Sequence, residues 1–220
     1  MTGQMLKDRA VKTIELLKQE YPDARVALDY SNPWELLVAT ILSAQATDKK
    51  VNEVTDRLFK KYSTVQDYAE ASLEEFGQDI KATGFYRNKA KYIISAAGIV
   101  MEEFDSKVPR SMEEILTLPG VARKTANIVL GNAYGVVEGI AVDTHVKRLS
   151  ARLGLSERKD PNKIERDLME IFPQKDWFCL NYLLINHGRA VCKAQNPLCQ
   201  RCVLSNICSS AFQFPRLMRK

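Results

Sequence analysis

The 220-residue sequence lacks several patterns that would each indicate a particular class of protein. It has no apolar run approaching the length of about 20 residues that a membrane-spanning helix requires. Its opening, MTGQMLKDRAVKTIELLKQE, has the pattern of an amphipathic helix and not of a secretory signal. The alternating pattern of strands and the two-residue turns of β-hairpins are also missing. These absences predict a cytoplasmic, all-α protein that is not bound to a membrane.

Cysteine is scarce except near the C-terminal end. Four of the five cysteines lie within seventeen residues, as Cys192, Cys199, Cys202 and Cys208. Disulfides are rare in the cytoplasm, so thiols this crowded predict a metal or cluster site. The spacing C-x6-C-x2-C-x5-C has one tight pair where zinc sites usually have two, which favours an iron–sulfur cluster while leaving zinc open. Cys179 stands apart in an apolar helical context and is expected to be a buried thiol.

The excess of positive charge is small, with a formal net charge of +5. It is concentrated in the segment Lys147–Lys159, which has five cations and one acid, and in the last ten residues, which include Arg216, Arg219 and Lys220. Such segments suit a nucleic-acid partner but also occur as ordinary solvated surface, so charge alone does not decide between them.

Signals for helix starts recur along the chain. Each is a side chain that can cap a helix, followed by residues that favour the first turn, and they stand at Asn32, Ser72, Ser111 and Asp160. The apolar run after the first of them predicts a deeply buried helix. Gly188 predicts the end of the last long helix. Helical periodicity is lost after it, where the cysteines cluster.

The segment LPGVARKTAN predicts a tight turn between two helices. Pro119 and Gly120 separate a helix predicted over Met112–Leu118 from one predicted to start near Val121. The unpaired N–H groups at the start of the second helix could bind a phosphate without reading base sequence. Two cations, Arg123 and Lys124, fall in its first turn, where the helix dipole disfavours positive charge.

Lys124 and Asp143 are the candidate catalytic residues. The helix dipole and Arg123 disfavour the charged form of the Lys124 amine, and a neutral amine is a nucleophile that can form a Schiff base. The alternative is a lysine that only holds a phosphate by its charge. Asp143 is placed to cap a helix over Thr144–Leu153. Capping and catalysis are compatible, because a capping carboxylate is held rigidly.

Taken together, these motifs resemble the endonuclease III family of DNA glycosylase/AP lyases. The resemblance rests on LPGVARKTAN, AVDTHVKRL, LLVATILSAQATD, TGFYRNKA and the four-cysteine tail, and it runs from about Leu16 to Cys208. It implies a two-lobed, all-helical fold with the DNA in a cleft between the lobes. The implied domains are a helical barrel of residues 26–136, with its helix-hairpin-helix at about 111–131, and a cluster domain of residues 1–25 plus 137–220, with its cluster loop at 192–208.

The same resemblance implies the chemistry. Cys192, Cys199, Cys202 and Cys208 would ligate a [4Fe-4S] cluster. Lys124 would attack C1′ of a damaged nucleotide, and Asp143 would handle protons and stabilise the positive charge that develops on the sugar. The base would leave, a Schiff base would form, and β-elimination would nick the strand 3′ to the lesion. The implied partner is double-stranded DNA with damaged pyrimidines or abasic sites, bound by a monomer associated with the nucleoid.

The nucleotide must be flipped out of the helix for this chemistry, and side chains must fill the space it leaves. By resemblance, Gln45 and Phe85 would do so. Gln45 could equally be a polar residue at a helix end, and Phe85 could instead be a core contact at a helix start. The residues expected to meet DNA are Gln45, Gly84, Phe85, Gly120, Ala122, Arg123 and Lys193, with Arg201 a weaker candidate. Two of them depart from the family pattern: Ala122 replaces a usual glycine, and Phe85 a residue that is often aliphatic.

Three alternatives stay open at this stage. A mismatch glycosylase for adenine or thymine would share the scaffold, but those relatives usually lack a lysine at position 124. A non-catalytic helix-hairpin-helix module would need neither Asp143 nor a metal centre. A zinc-bound structural protein would be colourless, whereas an iron–sulfur protein absorbs visible light.

Overall fold

The computed structural model describes residues 3–214, and these residues form α-helices, short 3₁₀ helices and turns but no strand. The all-α prediction is confirmed. The basic residues noted near the C-terminus, Arg216, Arg219 and Lys220, lie outside the described residues. The α-helices are α1 Gly3–Glu20, α2 Pro33–Leu42, α3 Asp48–Lys61, α4 Val65–Ala69, α5 Leu73–Asp79, α6 Tyr86–Glu103, α7 Met112–Ile115, α8 Arg123–Tyr134, α9 Thr144–Leu153, α10 Pro161–Ile171 and α11 Gln174–Ala190.

The chain divides into two compact units, one formed by residues 27–138 and the other by the segments before and after that range. In the first unit, α2 is the central helix: every residue from Leu36 to Leu42 is buried. It packs against α3, α6 and α8. The rings of Trp34 on α2 and of Tyr62, Tyr68 and Phe76 form a cluster, in which the Tyr62–Tyr68 pair is tilted and the other pairs meet edge to face. The prediction of a deeply buried helix after Asn32 is therefore confirmed.

The second unit is built from α1, α9, α10 and α11. Its core combines Ile14 and Leu17 of α1 with apolar residues from the other three helices, such as Leu149, Leu168 and Leu184. Each fully buried aliphatic side chain of this kind stabilises the fold by about 2 kcal/mol relative to an exposed one. The chain segments on either side of the first unit are thus joined by one shared core.

The four predicted helix starts are confirmed. The side chains of Asn32, Ser72, Ser111 and Asp160 each accept a hydrogen bond from the backbone N–H three residues later. The last helix, α11, ends at Ala190, two residues beyond the glycine near which its end was predicted.

Gly188 has a packing role inside α11. A Cβ at this position would lie 2.9 Å from side-chain atoms of Arg148 and His145 on α9. The glycine therefore lets α9 approach α11 closely. Among residues 3–214, no helix is both long enough and apolar enough to span a bilayer.

Candidate functional site

The predicted hairpin is present in the first unit, but both helices stop short of their predicted ends and the connection between them is longer. The first helix, α7, ends at Ile115 and not at Leu118, and α8 begins at Arg123 and not near Val121. The intervening residues form turns, closed by a hydrogen bond of 3.1 Å from the Val121 N–H to the Leu118 carbonyl. Arg123 and Lys124 are consequently the first two residues of α8.

Gly120 is required at this turn for two reasons. Its φ of +80° lies in the left-handed region, which glycine adopts without steric strain. A Cβ at this position would also lie 2.8 Å from Cβ of Tyr92 on α6, closer than side chains pack. The turn therefore rests directly against α6.

Ala122 precedes α8 with φ −97° and ψ 168°, which is extended backbone that any residue adopts. The replacement of the usual glycine by alanine causes no strain in the backbone here. Because alanine has no side-chain acceptor, α8 begins without a side-chain cap. Its first N–H groups are the kind that bind a phosphate when no capping side chain is present. The side chain of Lys124 is half-buried beside them.

Asp143 belongs to the second unit, where it caps α9. One carboxylate oxygen accepts hydrogen bonds of 2.8 Å from the N–H groups of His145 and Val146. The other lies 3.1 Å from Nδ1 of His145. The capping prediction is confirmed, and the carboxylate is held at three points. His145 was not predicted as part of this site, because its only local signal is its place two residues after the aspartate.

The two residues expected to enter the DNA helix lie in the first unit and have unusual backbones. Gln45 has φ 56° and Phe85 has φ 48°, both left-handed without being glycine. Phe85 is 64% exposed, so the alternative of a core contact is wrong. Gly84, with φ 70°, lies directly before it. Both residues stand at helix ends: Gln45 lies just after α2, and Phe85 just before α6.

The four clustered cysteines line one cavity in the second unit. The cavity measures about 400 Å³, including open solvent at its mouth, and Leu149, Leu153 and Pro197 contribute to its wall. None of the cysteines is in a disulfide, and all four are partly buried. Within residues 3–214, no three side chains of the metal-binding types converge on a single-ion site. Four soft thiol donors around a cavity with an apolar wall fit an iron–sulfur cluster.

The electrostatics of the cavity also suit an iron–sulfur cluster. Burial, with smaller contributions from the neighbouring cysteines, raises the pKa of Cys202 to about 11. Burial likewise raises the pKa of Cys208. Isolated thiolates are therefore disfavoured in this cavity, so the deprotonated ligands need positively charged iron beside them.

His187 also contributes to this region, although the sequence pattern did not predict it. It is 1% exposed, and burial lowers its pKa to about 4, so the ring is neutral. Its Nδ1 lies 3.1 Å from the Tyr21 hydroxyl, and its Nε2 lies 3.3 Å from Sγ of Cys202. With the hydroxyl donating to Nδ1, the hydrogen on Nε2 faces the cysteine sulfur, as partners of metal ligands often do. A histidine five residues before Cys192 is a weak signal in sequence alone.

Two arginines of α9 hold the start of the cluster loop. Arg148 donates to the carbonyl of Cys192, and Arg152 donates to the carbonyls of Lys193 and Ala194 at 2.7 and 2.9 Å. These two basic residues belong to the Lys147–Lys159 segment, and both bind backbone carbonyls of the protein itself. The side chains of Lys193 and Arg201 are exposed, as a phosphate contact requires.

Comparison with known proteins gives a consistent result. Residues 38–174 match the HhH-GPD superfamily of base excision DNA repair proteins, and residues 192–208 match the iron-sulfur binding domain of endonuclease III. An endonuclease III of Synechocystis is 54% identical over 93% of this chain and 94% of its own. That of Bacillus subtilis is 49% identical over 86% of each chain.

A solved structure gives the same answer for the fold. A trapped endonuclease III–DNA covalent intermediate, an estranged-adenine complex, aligns with a TM-score of 0.89. The two chains are 42% identical, and the alignment covers 97% of this chain and 98% of the other.

Proposed function

The chain belongs to the endonuclease III family of base-excision DNA glycosylase/AP lyases with a [4Fe-4S] cluster, and on that premise we propose that it removes oxidised pyrimidines from duplex DNA through Lys124 and Asp143. The observation that carries the proposal is the position of Lys124. It is the second residue of α8, directly after a turn that requires glycine at Gly120. A partly buried lysine at an uncapped helix start would combine a phosphate site with a nucleophile.

Lys124 acts as the nucleophile. Its neutral amine attacks C1′ of the damaged nucleotide, and a C–N bond forms while the glycosidic bond breaks and its electrons leave with the base. Loss of a proton from the amine and opening of the sugar give the Schiff base. Removal of a C2′ proton then expels the 3′ phosphate, which nicks the strand on that side.

Asp143 moves protons and stabilises charge. Its carboxylate is fixed by two backbone N–H groups, so it does not reorganise as positive charge develops on the sugar. His145, beside its second oxygen, orients that oxygen further. A rigid carboxylate is what a step of this kind needs, because the barrier then includes no cost for moving it.

The remaining proposed roles concern DNA. The N–H groups at the start of α8, with Arg123, hold a backbone phosphate, and Lys193 holds another. Gln45 and Phe85 fill the space left by the flipped nucleotide. Cys192, Cys199, Cys202 and Cys208 would hold the cluster, whose iron–thiolate bonds would cross-link the loop 192–208 internally. We further propose that the protein works as a monomer in the cytoplasm, on nucleoid DNA.

Borohydride trapping tests this function. Borohydride reduces a Schiff base to a stable amine, so wild-type protein with duplex DNA carrying thymine glycol or an abasic site should give a covalent protein–DNA adduct. Lys124→Ala should give none. Lys60→Ala is the matched control, because Lys60 is exposed on α3 and pairs only with Asp56 among the contacts described.

Each outcome has a clear meaning. A wild-type protein that binds this DNA without an adduct would favour the non-catalytic module, and excision of mismatched adenine or thymine without an adduct would favour a mismatch glycosylase. Trapping by Lys124→Ala at the wild-type level would show that another residue is the nucleophile.

A further inference from the structure

Lys89 is a buried lysine that the proposed chemistry does not use. It lies on α6 and is 4% exposed. Its Nζ donates two hydrogen bonds, each of 2.8 Å, to the backbone carbonyls of Leu42 and Thr83. Burial lowers its pKa to about 8, which shows that the surroundings disfavour the charge it carries. A buried positive charge is costly, so the two backbone carbonyls that Lys89 binds indicate what it does for the protein.

The two carbonyls mark the bases of two functional segments. Leu42 is the last residue of α2, three residues before Gln45. Thr83 is the last residue of the short 3₁₀ helix Lys81–Thr83, two residues before Phe85. Both oxygens lie at helix ends, where carbonyls lack an intrahelical partner and favour a cation. One nitrogen therefore connects the two segments that carry the residues proposed to enter DNA.

Gln45 and Phe85 have strained backbones, which makes the connection informative. Residues other than glycine keep a left-handed conformation only where the surroundings hold it. A third left-handed place in the same unit, at Asp105 and Ser106, lies in a loop after α6 and has no buried cation at its base. The segments of Gln45 and Phe85 are thus distinguished by a shared internal anchor.

We propose that Lys89 is a positioning residue that fixes the segments of Gln45 and Phe85 relative to each other, so that the pair is assembled before DNA arrives. The proposal rests on the function proposed above for those two residues. Preassembly removes the need to order two loops while a nucleotide is being unstacked. Lys89 itself touches no DNA, because it is buried.

A double-mutant cycle tests the proposal. Lys89→Met keeps the length and apolar stem of the side chain but removes both donors. We expect it to slow single-turnover excision of thymine glycol at least tenfold and to reduce the fluorescence rise of 2-aminopurine placed beside the lesion. Because Lys89 acts through the pair, its substitution should add less than twofold in a Phe85→Ala background. Lys91→Met is the matched control, since Lys91 is exposed on the same helix.

The outcomes separate this proposal from the underlying function. A Lys89→Met protein within twofold of wild type, or one whose defect multiplies fully with that of Phe85→Ala, overturns the positioning role. A wild-type protein that excises nothing overturns the proposed function instead.

A measurement on the unaltered protein covers the case in which the variant does not fold. In free wild-type protein, amide hydrogen exchange of segments 42–47 and 83–88 should be slower than that of the turn at Asp105 and Ser106. Equal rates would show that the pair is not preassembled.

Discussion

The starts of α8 and α9 are built in opposite ways. Before α8, Ala122 offers no capping side chain, and the first two helical residues are the cations Arg123 and Lys124. Before α9, Asp143 accepts two backbone N–H groups and supplies the negative charge that a helix start favours. The start of α8 therefore has no acidic or capping side chain to balance the positive end of its dipole, whereas the start of α9 has one in Asp143.

The difference separates two ways of making a catalytic group. At α8, the missing cap leaves N–H groups and positive charge for the proposed DNA phosphate, next to the lysine proposed as the nucleophile. At α9, the cap and the proposed catalyst are one carboxylate, so stability and function coincide. Substitution at α8 should therefore be able to raise stability while weakening function, and substitution at α9 should be able to remove function while leaving stability unchanged.

The largest effect is expected from Asp143→Asn. Asparagine caps helices as well as aspartate does, so the melting temperature should stay within about 2 °C of wild type. Turnover should fall by about 10³-fold, because the amide neither accepts a proton nor stabilises positive charge. Single-turnover excision and thermal melting would measure the two quantities.

Asp143→Ala is the control for the cap. It should lose the same turnover and, in addition, about 1 kcal/mol of stability. If Asp143→Asn kept turnover within twofold of wild type, Asp143 would be a cap alone.

The features that could be predicted from the sequence are those that depend on interactions between residues close together in the chain. Caps such as Asp143 and turns such as that at Gly120 depend on hydrogen bonds over two or three residues, so residue type and spacing reveal them. Lys89 bonds to a carbonyl 47 residues away, and His187 to a tyrosine 166 residues away. Such pairs form only when tertiary packing brings segments together, and nothing local marks them.

Gly188 also shows that a local signal does not reveal a role in tertiary packing. Its local signal, a glycine near the end of a periodic segment, predicts a helix end. The helix instead continues for two more residues, and the missing Cβ of Gly188 lets α9 approach α11. The hairpin was predictable, but its helix ends were off by two or three residues, since an extended residue such as Ala122 looks helical in a propensity pattern.

An intermediate effect is expected from Gly120→Ala. The new Cβ meets a left-handed backbone and lies 2.8 Å from Tyr92, so either the turn or the tyrosine must move. We expect a loss of about 2–3 kcal/mol in the free energy of unfolding and weaker DNA binding by about tenfold. Denaturant unfolding and a binding titration on abasic-site duplex would measure these changes.

Gly135→Ala is the matched control for that change. Gly135 also has a left-handed backbone, with φ 68°, but a Cβ there would meet nothing within 4 Å. It should lose only about 1 kcal/mol and keep DNA affinity. Equal losses in the two variants would show that the contact with Tyr92 contributes nothing.

The smallest effect, and the most direct test of the comparison, is expected from Ala122→Asp, which gives α8 the kind of start that α9 has. The extended backbone at this position suits a capping residue, so stability should rise by about 1 kcal/mol. The carboxylate would occupy the N–H groups and repel phosphate, so affinity for abasic-site duplex should fall about fivefold, and binding should depend less steeply on salt. Ala122→Ser adds the cap without the charge and should give a similar gain in stability with a smaller loss of affinity. If Ala122→Asp bound DNA as tightly as wild type at every salt concentration, the start of α8 would not be a phosphate site, and its missing cap would need another explanation.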